Sequence, residues 1–143
     1  MNSHREVKIT AYSEISNLSP SGAVEGDVEI TEERADGTLF AEDGKIVIRY
    51  KTESEGGRVD TELICEADAL RVKRCGAVAS DFRFKEGEEH SSLYSVGQFS
   101  FDTVILTRKI RNRMTDIGGR ADVYYNMKIG GADKYVKMKL LAE

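Results

Sequence analysis

The chain of 143 residues contains no tryptophan, one proline, two cysteines and two histidines. No apolar run approaches the ~18 residues of a membrane helix. Each scarcity excludes something. His4 and His90, with Cys65 and Cys75, offer no metal-ligand spacing, so neither a metal centre nor a cofactor is expected. No histidine or aspartate is spaced from a cysteine to build a Cys-His pair. The glycine pairs lie between strand-like runs, not between a strand and a helix, which removes a phosphate loop. Net charge is −4 with the signs mixed, so nothing global draws the chain to nucleic acid or an anionic membrane. The first ten residues carry His4, Arg5, Glu6 and Lys8 and lack the apolar core of a signal peptide, so a cytoplasmic location is expected.

What the chain has in abundance is alternation. In a strand, side chains point to opposite faces with period two, so a run that alternates apolar and polar residues buries one face and wets the other. Val123, Tyr125, Met127 and Ile129 share one parity, and Asp122, Tyr124, Asn126 and Lys128 the other. Val7, Ile9 and Ala11 mark a first strand, Val24, Val28 and Ile30 a second, with a loop around Pro20 between them. Asp36-Gly37 and Asp43-Gly44 read as hairpin turns, and Gly56-Gly57, Glu86-Gly87, Gly118-Gly119 and Gly130-Gly131 punctuate the rest. A chain of about eight to nine such runs implies one all-β domain over residues 1–143, an antiparallel sheet closed into a barrel that leaves no unpaired edges. A domain of this length buries roughly 68–70% of its unfolded surface without needing disulfides.

Two stretches carry specific expectations. Cys65 and Cys75 end the two strands of one hairpin, about 16 Å apart at the strand rise of ~3.3 Å per residue, so both are expected as free thiols. Within residues 90–114, Phe99, Phe101, Thr103, Ile105 and Thr107 hold one parity, whereas Val104, Leu106 and Ile110 hold the other. A bulge reconciles the two sets. A helix over residues 104–114 is the rival, with Leu106, Ile110 and Met114 four apart, but β-branched residues and the lack of an N-cap oppose it.

Arg74-Cys75-Gly76-Ala77-Val78, Phe84 with Gly87, Tyr94, Thr107 with Ile110, and Gly119-Arg120 with Tyr125, Met127 and Gly130 follow in an order that resembles the bacterial YwiB-like proteins. The likeness covers roughly residues 37–141. It implies a calycin-like, lipocalin-like β-barrel, and it brings no established activity. Family members tend to carry a Thr-Pro-x-Gly turn soon after the tyrosine, whereas Tyr94 is followed here by Ser95, Val96 and Gly97.

Parity also places polar side chains on the inner face. Arg74 follows Leu70 and Val72, Tyr50 follows Ile46 and Ile48, and Tyr125 follows Val123; Thr61, Thr103 and Thr107 share parity with core positions. A lone desolvated arginine costs several kcal/mol, so Arg74 needs an anion or several acceptors. The bland alternatives are an arginine that exits at the rim to pair with a surface carboxylate, tyrosines that only fill the core, and a lumen plugged by Phe40, Phe82, Phe84, Phe99 and Phe101. Glu86, Glu88, Glu89 and His90 read as a solvated turn.

Two functions follow, and an enzyme with an unfamiliar site ranks behind both. One is a barrel that binds a small apolar or anionic ligand through Arg74, Tyr50, Tyr125, Thr61 and Thr107. The other is a non-enzymatic module that binds a protein or RNA partner through the basic run Arg108, Lys109, Arg111 and Arg113, with Arg120 beside it. Self-association, as a dimer, through an exposed strand or the apolar segment 136–141 is a further expectation.

Overall fold

Alternation becomes a meander of ten strands in the computed structural model, which describes residues 4–143. Residues 1–3, part of the expected 1–143 domain and of the segment weighed as a signal peptide, lie outside the described residues. The strands are β1 (Arg5–Leu18), β2 (Val24–Glu42), β3 (Lys45–Ser54), β4 (Gly57–Cys65), β5 (Ala69–Gly76), β6 (Val78–Lys85), β7 (Glu89–Val96), β8 (Phe99–Thr115), β9 (Gly118–Ile129) and β10 (Ala132–Ala142). Each pairs antiparallel with the next, and β1 pairs with β10 from Ile9↔Ala142 to Asn17↔Lys134, which closes the barrel.

Ten strands form where about eight to nine were expected, and two segments divide differently from the expectation. Residues 90–114 form most of β7 and β8, which turn at Gly97. Conversely, Asp36-Gly37 is no turn. β2 runs straight through it, held by Val7↔Gly37 on one side and Gly37↔Tyr50 on the other. A turn dipeptide reverses the chain only if no neighbouring ladder holds it extended. Glycine serves close packing here, since a methyl group would come within 2.7 Å of the Arg49 carbonyl oxygen and 3.2 Å of Ile9 Cγ1. Asp43-Gly44 does turn, with φ of 49° and 78°.

The parity conflict in β8 is resolved by a bulge between Thr107 and Lys109. Ahead of it Thr103, Ile105 and Thr107 are buried; beyond it Ile110 and Met114 pack against the core. No helix forms there. The inner face gathers Ile9, Leu39, Ile48, Leu63, Leu70, Phe84, Ile105, Val123 and Leu140 in one cluster. Phe82 joins it. The other phenylalanines do not plug the lumen: Phe40 lies on the opposite face from Leu39 under His4 and Arg49, and Phe99 and Phe101 are exposed. The outer face carries ion pairs such as Lys8–Asp36 and Arg49–Glu62. β10 pairs on both sides and turns Val136, Met138 and Leu140 into the core, so segment 136–141 offers neither edge nor apolar face. Both cysteines are free, Cys65 buried and Cys75 exposed.

Two seams are incomplete. The β2–β3 ladder stops at Gly37↔Tyr50, although β2 continues back to Val24. The β6–β7 ladder consists of Val78↔Val96 and Ala79↔Ser95 alone. Beyond it, Phe82 and Tyr94 stack at 6.2 Å across the gap, and His90 Nε2 lies 3.0 Å from the Asp81 carbonyl oxygen.

Candidate functional site

Strand register sets the inward polar residues in a line. Tyr50 pairs with Thr61, Thr61 with Arg74, and Arg74 with Ser80, so one polar row crosses β3, β4, β5 and β6. Each end of the row lies where a seam begins: Tyr50 beside the end of the β2–β3 ladder, Ser80 just past the last β6–β7 pair. Thr107 and Tyr125 form a second pair on β8 and β9. Phe84 ties the two walls together, its ring 4.7 Å from that of Tyr125.

The electrostatics connect the same residues. Burial raises the pKa of both tyrosines, that of Tyr125 to about 12, and the positive charge of Arg74 opposes the rise at each. Glu33, turned inward from β2, pushes Tyr50 further up. Arg74 therefore acts on both walls. It is half-buried and belongs to none of the ion pairs among the described residues. The expected bland alternative, a rim arginine paired to a surface carboxylate, is not what the structure shows.

Oxygens in the row, and two outside it on Glu33 and Thr107, are equally unmatched. Glu33 Oε1, Tyr50 OH, Thr61 Oγ1, Ser80 Oγ and Thr107 Oγ1 are all buried without a hydrogen-bond partner. Arg74 and Thr61 stand close enough to the Tyr50 hydroxyl to favour its ionised form, yet neither meets it in hydrogen-bonding geometry. A buried polar group left unmet costs about 1–3 kcal/mol. Three of these oxygens, on Tyr50, Thr61 and Ser80, belong to the row that register builds around Arg74.

Of the residues expected from the sequence, Tyr50, Thr61 and Arg74 share the row, and Thr107 and Tyr125 face the same interior. Thr103 is buried nearby and donates to the Phe101 carbonyl oxygen at 3.3 Å. Glu33 and Ser80 were not anticipated. Ser80 shares parity with Phe82 and Phe84, a signal present in the sequence. Glu33 shares parity with Ala35, Gly37 and Leu39, but that continuity is hidden once Gly37 is taken for a turn.

Other features carry less. A groove of about 1200 Å³ crosses the outside of β1 to β5, and four of its charges are tied up in the pairs Lys8–Asp36 and Arg49–Glu62. Glu86, Glu88 and Glu89 are exposed around their turn, as expected. Arg108, Lys109, Arg111 and Arg113 are all exposed on the far side of the barrel.

A closed, ten-stranded antiparallel meander with a polar row set into an apolar interior defines a β-barrel protein. The chain belongs to the family described as Domain of unknown function (DUF1934), which matches residues 19–140. It is 24% identical over 112 residues to the Uncharacterized beta-barrel protein YwiB of Bacillus subtilis (strain 168), spanning 78% of this chain and 79% of that one. The crystal structure of ywiB protein from Bacillus subtilis superposes with a TM-score of 0.79 at 23% identity, covering 96% of this chain and 92% of that one. The resemblance drawn from Arg74-Cys75-Gly76 onward is thereby borne out, and so is the barrel.

Proposed function

We propose that the barrel binds a small organic molecule whose polar end sits in the Tyr50–Thr61–Arg74–Ser80 row and whose apolar part lies against the core. The single observation behind this is the set of buried, unmet oxygens around an unpaired Arg74. Lipocalin-type barrels are wide enough to hold one small ligand, and an arginine fork suits a carboxylate or phosphate. Glu33 narrows the choice. A ligand acid must approach Arg74 while Glu33 repels it, so the favoured head group also brings a donor for Glu33. Ordered water is the competing occupant, because a buried water supplies two to four hydrogen bonds to such oxygens. The free thiols fit a reducing compartment, and we place the protein in the cytoplasm.

The test is titration with decanoate, followed by tyrosine emission, since the chain has no tryptophan to mask it. Binding should be lost in Arg74→Met and tightened in Glu33→Gln, which removes the opposing charge. Equal affinity for decanoate and decanamide, unchanged by either substitution, would refute an anion site. No response to either compound would leave the row to water.

A further inference from the structure

We propose that the outer face of β8, β9 and β10 binds single-stranded RNA, independently of what occupies the lumen. Register turns the basic run of β8 into part of a wider platform. Lys109 faces Tyr124, which faces Lys137; Arg111 faces Asp122, which faces Lys139; Arg113 faces Arg120. All six of the basic residues named are exposed. Arg108 stands at the bulge beside them.

Two features distinguish this face from an ordinary solvated one. Like charges directly opposite each other across strands destabilise a sheet, yet Arg113 and Arg120 are so placed in a protein whose net charge is −4. Two carboxylates share the face: Asp122 is taken by Arg120, at 3.0 Å, and Glu14 of β1 stands opposite Lys137. Lys109, Arg111, Arg113 and Lys139 belong to none of the ion pairs among the described residues, so the face keeps positive charge that an anionic partner would relieve.

The second feature is aromatic. Tyr124 is the direct neighbour of Lys137, Tyr135 lies diagonally from Tyr124 across the β9–β10 ladder, and Tyr12 sits opposite Lys139, whose Nζ is 5.9 Å from its ring. All three tyrosines are partly exposed. Cations at the strand spacing of ~4.8 Å, interleaved with aromatic rings, match a chain whose phosphates need charge and whose unpaired bases need stacking surfaces. An acidic protein would use the cations and leave the rings idle. Asn126, partly exposed beside Tyr124, supplies an acceptor for a 2′-hydroxyl, which favours RNA over DNA.

The experiment is fluorescence anisotropy with a labelled uridine oligomer of about 12 nucleotides, within the site sizes such platforms cover, across a salt series. Affinity should fall with rising salt, with a log–log slope of about −0.7 per phosphate engaged. The triple variant Arg111→Gln, Arg113→Gln, Lys137→Gln should flatten that slope by about 2. Tyr124→Ala should weaken binding by about five- to a hundred-fold with the slope unchanged. Lys51→Gln with Lys73→Gln, on β3 and β5, should leave affinity intact, and the altered side chains being solvent-facing, melting should confirm that every variant folds. Absence of binding at low salt would overturn the proposal. So would affinity indifferent to the face variants, displacement of the RNA by polyglutamate at equal charge, or equal affinity for the matching DNA.

Discussion

Replacing Arg74 by methionine separates a ligand-binding arginine from a structural one. Methionine keeps much of the apolar stem and removes the guanidinium. If Arg74 anchored the fold through a buried ion pair, its removal would strand a charge and cost about 3–5 kcal/mol. The structure shows no such partner among the described residues, so nothing is stranded. The substitution also removes a half-buried cation whose desolvation nothing in the row repays. The expected change in stability is below about 1 kcal/mol, because the guanidinium is only partly desolvated and no ion-pair partner is lost with it. At roughly 3–5 °C per kcal/mol for a chain of this length, melting should shift by a few degrees at most. A ligand present at a hundred times its Kd should raise the stability of the parent by about 2.7 kcal/mol, and that gain should vanish in Arg74→Met. Melting followed by circular dichroism, with and without decanoate, reads both quantities. A fall of 10 °C or more without ligand would show that Arg74 holds the fold together, and would refute the reasoning.

Other consequences are equally accessible. Gly37→Ala should cost about 1–3 kcal/mol by pressing a methyl onto the Arg49 carbonyl oxygen, measured by urea unfolding. A gain of 0.4–1 kcal/mol, the usual effect of stiffening an unconstrained glycine, would contradict the packing described. Arg71 donates to both carboxylate oxygens of Asp81, at 2.8 and 2.6 Å, and holds its pKa below the ordinary value. The pair thus stabilises the fold above the unfolded carboxylate pKa and ceases to do so as pH falls through the lower folded value. Both side chains are more than a third exposed, so Asp81→Asn should cost less than about 1 kcal/mol at neutral pH, and the difference from the parent should disappear in strong acid. Cys75 should react with a disulfide reagent in the native protein, whereas Cys65, buried and with its thiol pushed up to about 12, should react only on unfolding.

Much of this architecture was legible because closing a sheet makes parity a global rule. Tyr50, Thr61 and Arg74 could be set on one face from their own strands, and register then placed them in line. Where parity breaks, legibility fails. In β2, Val24, Val28 and Ile30 mark the strand in sequence but stand exposed, while Glu33 turns inward past the end of the β2–β3 ladder. The reason is physical: that half of β2 pairs only with β1, so hydrophobic burial no longer dictates which face carries the apolar side chains. The width of the basic platform was hidden for a different cause. Lys137 and Lys139 are distant in sequence from residues 108–113, and only the β8–β9–β10 register brings them together.

The most direct test of the lumen site is native mass spectrometry of the protein purified from cell extract, compared with the same protein unfolded and refolded without small molecules. The account predicts a co-purifying mass of a few hundred daltons that is absent after refolding and absent from Arg74→Met. A bare protein mass in all three samples, together with no uptake of decanoate by the refolded chain, would contradict it.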